Sequence, residues 1–201
     1  MKKFFILSIA LILAGIYTTA QTKTTDPGVV INGVKWATRN VDAPGTFADK
    51  PESAGMFYQW NRKKAWNTTD KEVTDWDDST LVGTSWEKAN DPCPKGWRVP
   101  TIDEIKKLLD KDKVTSEWTT RNGINGRLFT DKSTGNALFL PAVGNRYGLD
   151  GTLYGVGTYG SCRSSTQYSE TYAYYFHFNS GSAVRYSGNR RYGLSVRAVA
   201  E

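Results

Sequence analysis

Histidine occurs once in this chain of 201 residues, as His177, and cysteine twice, as Cys93 and Cys162. With no Cys or second His nearby in sequence, His177 reads as a half-exposed strand residue and not as a metal ligand. A Ser-His-Asp triad would have to use the same histidine, and no nucleophile-elbow motif stands near it. No cofactor and no metal are therefore expected. The cysteines permit at most one bond, Cys93 to Cys162, and two reduced, buried thiols are the simpler expectation. After the first 16 residues there is no long apolar run, and nowhere a Pro/Ser linker, charge block, internal repeat or low-complexity tract. One domain is the reading that follows. Lys and Arg number 26 against 20 Asp and Glu. That excess suits an ordinary solvated surface, so no nucleic-acid partner is expected.

What is present begins with a leader. Lys2 and Lys3 precede an apolar run from Phe4 to Ile16, and Thr18-Thr19-Ala20 offers the small residues that a signal peptidase reads. The run is short of the roughly 20 residues of a membrane-spanning helix. The pattern predicts a signal peptide over residues 1–20 cleaved after Ala20, an N-terminal tail over 21–27 and one domain over 28–201. It implies a secreted, periplasmic or cell-surface protein with no stable membrane span after cleavage. No Cys follows the apolar run, so a lipid anchor is not encoded there.

The stretch Asn90 to Leu109 organises the rest. Pro92, Pro94 and Gly96 stiffen the approach, Pro100 ends the preceding strand, and Thr101 with Glu104 spells a capping box. Ile102, Ile105, Leu108 and Leu109 then form one apolar stripe, which predicts a short amphipathic helix docked on a β frame. Asn32-Gly33 between Val29-Val30-Ile31 and Val34-Lys35-Trp36-Ala37 predicts a hairpin with a type I′ turn. Met56 to Trp60 reads as a short aromatic strand, and Arg62 to Trp86 as an irregular excursion pinned by Trp66, Trp76 and Trp86. Further strands are expected over Arg127 to Thr130, Ala137 to Leu140, Ser161 to Thr166, Tyr172 to Phe178 and Leu194 to Val199. Trp118 to Asn122 reads as a lead-in and 144–160 as a glycine-rich loop.

The string Asp-Pro-Cys-Pro-Lys-Gly-Trp-Arg-Val-Pro-Thr at 91–101 resembles the signature of the Fibrobacter succinogenes major paralogous domain family. The similarity extends to Asn32 to Val41, Gly55 to Lys63, Phe139 to Ala142, Ser164 to Thr166 and Gly193 to Val199. The resemblance implies an α+β, C-type-lectin-like fold: twisted antiparallel sheets, one or two short helices and long irregular loops. Relatives pair the cysteine of Asp-Pro-Cys-Pro with one near the C-terminus, where this chain has Ala198. Trp97 to Glu104 is also similar to the helix start of formylglycine-generating enzymes, but their reactive cysteine pair has only Cys162 as a counterpart. The calcium-binding strings of sugar-binding C-type lectins do not occur. The C-terminal region further resembles the variable region of proteins diversified by retroelements.

Function is written most plainly in residues 154–201, which hold eight of the chain's eleven tyrosines, five arginines and only two acids, Glu170 and Glu201. Tyr, Arg, Ser, Gly and Asn make the palette of binding loops, since tyrosine offers large amphipathic contact at low entropic cost. The candidate contact residues are Tyr154, Tyr159, Arg163, Tyr168, Tyr172, Tyr174, Arg185, Tyr186, Asn189, Arg190, Arg191 and Tyr192. The alternative is that tyrosines simply fill two-sided strands. Arg197 reads as a structural ion pair or loop clamp. The expectation is a non-catalytic binding module for a glycan or protein ligand. A structural subunit of a surface assembly and a formylglycine-generating enzyme are the alternatives.

Overall fold

The computed structural model describes residues 23–79 and 82–201. The expected signal peptide and its cleavage point lie outside the described residues. The hairpin of β1 (Val29–Ile31) and β2 (Val34–Trp36) closes through Asn32 and Gly33 at φ values of 46° and 75°. Both residue types tolerate that left-handed conformation, as the type I′ turn requires. β3 (Phe57–Tyr58) and β4 (Ala65–Trp66) pair next, and a single 3-10 turn (Lys88–Asn90) leads to β5 (Trp97–Arg98) and α1 (Ile102–Leu108). The capping box is present: Glu104 N donates to Thr101 Oγ1 at 3.3 Å, and Thr101 N donates to Glu104 Oε2 at 2.8 Å. Such a cap is worth about 1 kcal/mol. Burial opposes the charge on Glu104, yet hydrogen bonds from Arg98 and Thr101 hold its carboxyl below the ordinary value.

The second half is nearly all strand. It runs β6 (Val114–Arg121), β7 (Ile124–Asp131), β8 (Ala137–Pro141), β9 (Val143–Arg146), β10 (Leu153–Val156), β11 (Tyr159–Gln167), β12 (Tyr172–Asn179), β13 (Ala183–Asn189), β14 (Leu194–Ser195) and β15 (Val199–Ala200). One sheet has the order β1-β2-β15-β5 and a second β6-β7-β8. The third is mixed: β10-β9-β11-β14-β3-β4, with β12 on β11 and β13 on β12. Among the described residues the architecture is thus mainly β, antiparallel and mixed, around one short helix. Ile102, Ile105 and Leu108 bury their stripe in a core shared with Trp36, Phe129, Leu140, Phe176 and Phe178.

Four expectations about elements change. Residues 144–160 are not one loop but the hairpin β9–β10 and the start of β11, because Gly144, Gly155 and Gly160 lie within strands while Gly148 and Gly157 lie in the turns between them. Gly144 and Gly155 take φ values of 72° and 75°. Trp118 to Arg121 belong to an eight-residue strand that turns at Asn122-Gly123, both at positive φ. Leu194 to Val199 divides in two: Leu194 and Ser195 pair with β3, while Val199 pairs with β2 and β5. β13 was not among the expected strands.

Between Ala37 and Trp86 the backbone is largely irregular, and its carbonyls need donors wherever it is buried. Five arginines, each 0–1% exposed, supply many of them. Arg146 donates to Asn67 O, Asp70 O, Gly151 O and Asn67 Oδ1 at 2.6–2.9 Å. Arg39 joins Asp26, Ala48 O and Thr25 O, and Arg197 clamps Asn40 Oδ1 and Ala37 O. The other two correct the candidate contact set. Arg163 lies wholly inside, donating through Nη2 to Tyr58 O and Tyr192 O. Arg190 stacks 4.1 Å from the Trp60 ring and donates to Gly83 O, Ser169 O and Gln167 Oε1. A guanidinium carries five donors in one plane, which suits it to gathering loop carbonyls from several directions.

Candidate functional site

β12 presents Tyr175 and His177 on one face, with Phe176 and Phe178 on the core face. Cross-strand register places Ser161 of β11 opposite His177, and Tyr186 of β13 opposite Tyr175. The β9–β10 hairpin adds Asn145 and Tyr154, the bend that follows β9 adds Tyr147, and the turn after β13 adds Tyr192. Together they wall two adjoining depressions of about 270 Å³ and 410 Å³ that share Tyr147, Tyr175 and Tyr192.

The rings hold one another. Tyr147 meets Tyr154 and Tyr192 edge-on at 6.3 and 5.7 Å, Tyr175 stacks on Tyr186 at 5.9 Å, and His177 lies 5.1 Å from Tyr159 and 5.8 Å from Tyr186. Tyr159 donates its phenol proton to Asn145 Oδ1 at 2.6 Å. A Cβ at Gly155 would fall 1.9 Å from the Tyr159 ring, so only glycine leaves that ring its place. Tyr154 and Tyr186 remain 52% exposed, which makes them available to a ligand.

The lining is electrically quiet. No Asp or Glu lines either depression. Burial raises the phenols of Tyr159, Tyr175 and Tyr192, so they stay protonated as donors, and lowers His177, which is neutral at physiological pH. Arg191 is the one cation in the lining. Below it Arg163 leaves Nε and Nη1 without a hydrogen-bond partner, and burial pulls its pKa down to about 9. Ser161 Oγ lies 3.1 Å from His177 Nδ1, a nucleophile beside a base, but the lining supplies no carboxylate to orient the imidazole.

Of the candidate contact residues, this cleft brings together Tyr154, Tyr159, Tyr172, Tyr186, Asn189, Arg191 and Tyr192. Tyr168, Tyr174 and Arg185 form a separate patch: Tyr168 meets Tyr174 at 5.2 Å, and the Arg185 guanidinium lies 5.5 Å from the Tyr174 ring. Arg163 and Arg190 are interior. The expectation passed over Tyr147, Asn145, Ser161, Tyr175 and His177. Alternation along Tyr174-Tyr175-Phe176-His177 could have shown that Tyr175 and His177 share a face.

A further depression of about 620 Å³ lies beside the helix approach, lined by Trp86, Trp97, Lys95, Asp91, Cys93 and Glu201 among others. Its charges largely pair off: Arg98 with Glu104 and Lys88 with Glu201. Both cysteines are free, and burial raises Cys93 well above the ordinary thiol value and Cys162 up to about 12. Thiols so protonated are poor nucleophiles. Among the described residues no group of three or more His, Cys, Asp or Glu is placed to hold a metal, and no helix is long and apolar enough to cross a membrane.

Residues 113–199 match the profile of a Domain of unknown function (DUF8237). Every residue of the tyrosine cleft falls inside that span. No curated protein and no solved structure matches the chain.

Proposed function

We propose that this chain is a C-type-lectin-like binding module, exported from the cytoplasm, that takes a glycan in its tyrosine cleft. The fold reading rests on the resemblance of residues 91–101 and is supported by mainly antiparallel sheets, a single capped helix and long tryptophan-pinned connections. The observation that carries the functional reading is the ring of tyrosines and His177 around two joined, acid-free depressions. Sugar rings offer flat C–H faces and hydroxyl edges. Tyrosines match both, through ring contact and a phenol at the tip, while Asn145 and Asn189 add amide donors and acceptors.

The test is a glycan array probed with the purified chain and with Tyr147→Ala, Tyr154→Ala and Tyr186→Ala. These three rings are 37%, 52% and 52% exposed, so their removal leaves the core packing in place. Each variant should weaken a detected glycan by roughly tenfold, about 1.4 kcal/mol. Undiminished binding by all three, or an array without a single hit, would overturn the reading.

A further inference from the structure

β13 is hydrogen-bonded on one side only. It pairs with β12 in an unbroken register from Tyr172↔Asn189 to Phe178↔Ala183, and with no other strand among the described residues. Hydrogen bonds at the two ends of this ladder, Asn179 N to Ser182 O and Arg190 N to Thr171 O, fix which residues face which way. The same alternation makes Val184, Tyr186 and Gly188 exchange bonds with β12, and turns the N–H and C=O groups of Arg185 and Ser187 away from the sheet. No described residue bonds to those outward groups.

Unprotected edges of this length are unusual, because proteins blunt them with lysine, proline, bulges or covering segments. β13 has few of these devices: its seven residues contain neither Lys nor Pro, the register is regular, Arg185 is its one charge, and Val184, Arg185 and Tyr186 are exposed. The other long edge, β6, is more heavily charged. It carries Glu117 and Arg121, the latter bridged to Glu52 at 2.7 Å, and Arg127 reaches across to Ser116. Neither β12 nor β13 contains an acid. Arg185 lies against the Tyr174 ring and makes no ion pair among the described residues.

We propose that β13 is a docking edge for an extended, acidic segment of a partner protein. The segment adds an antiparallel strand whose main chain bonds Arg185 and Ser187, and it sets a carboxylate against the Arg185 guanidinium. Main-chain bonding gives affinity and alternate side chains give selectivity in such strand addition. A second copy of this chain fits less well, since its own β13 brings a second Arg185 and no acid. Tyr186 and Ser187 of this edge also line one of the two depressions of the tyrosine cleft, so the two readings are told apart through Tyr154, which lines the cleft but is not on β13.

The probe is a blocked seven-residue peptide, Thr-Glu-Val-Glu-Val-Glu-Thr, compared with its Lys-for-Glu counterpart by fluorescence titration and by hydrogen exchange on the whole chain. The acidic peptide should bind roughly tenfold or more tighter than the basic one and slow exchange at the amides of Arg185 and Ser187. Ser187→Pro, which removes an outward N–H, should abolish binding. Arg185→Glu should reverse the peptide preference, and it decides the matter if the proline variant fails to fold. Tyr154→Ala should leave peptide binding unchanged. Equal affinity for both peptides, unprotected amides, or a concentration-dependent dimer that protects the same amides without peptide would overturn the proposal.

Discussion

Arginine and tyrosine are mixed along the C-terminal third of the sequence, yet the fold sends most of the arginines inward and leaves only Arg185 and Arg191 out with the tyrosines. Arg163, Arg190 and Arg197 turn inward with Arg39 and Arg146 and spend their donors on loop carbonyls. Tyr147, Tyr154 and Tyr186 stay partly in water around a cleft. Both residue types suit binding surfaces, so composition alone treats them alike. The difference lies in what each leaves unsatisfied. A loop buried without sheet or helix partners exposes many carbonyls to an apolar interior, and arginine answers several at once; a tyrosine has one hydroxyl and a ring, which serve better at a rim.

The sharpest way to test that division is Arg146→Ala. Its four hydrogen bonds tie Asn67, Asp70 and Gly151 together, and truncation strands those carbonyls inside. A loss of about 3 kcal/mol is expected, read as a lower urea midpoint at unchanged slope. Gly155→Ala acts on the other side. The left-handed backbone costs about 1 kcal/mol for a residue with a Cβ, and Tyr159 must leave its seat, so ligand binding should fall more than stability does. Tyr154→Ala should move the thermal midpoint little, by less than about 0.5 kcal/mol of stability. If it unfolds the chain, the rim has been misread as surface.

The smallest effect concerns pH. Burial holds His177 below its ordinary value of 6.5, so in the folded chain it stays neutral while the unfolded chain takes up a proton. The unfolded state therefore binds more protons below about pH 6.5, and stability declines from there until the folded imidazole also protonates. Half-exposure keeps the slope shallow. His177→Gln should flatten it in melts run between pH 7 and pH 5, and an unaltered slope would show that the imidazole is not the group responsible.

Local signals were legible before the structure. Asn32-Gly33 needs only its own turn geometry, and the Thr101–Glu104 box closes within one helical turn, so both could be read from neighbouring residues. β13 and the β9–β10 hairpin could not, because Gly144, Gly155 and Gly188 lower intrinsic strand preference and only pairing with β11 and β12 restores it. The fate of Arg163 and Arg190 depends on carbonyls at Tyr58 and Gly83, about a hundred residues away in the chain. The cleft was half visible. Its later tyrosines stood out by composition, whereas Tyr147 precedes the enriched stretch and Tyr175 joins the rim only through cross-strand register.

The position of β15 has a consequence for how the molecule comes into being. This strand, Val199–Ala200, lies between β2 and β5, so the opening hairpin cannot join the strand that leads into the helix until Val199 and Ala200 have been made. Pairings that span the whole chain carry a large loop-closure cost before they contribute anything, which slows folding. Nascent chains should thus leave this sheet unfinished, with Trp36 and Val99 partly uncovered, until Val199 and Ala200 have emerged.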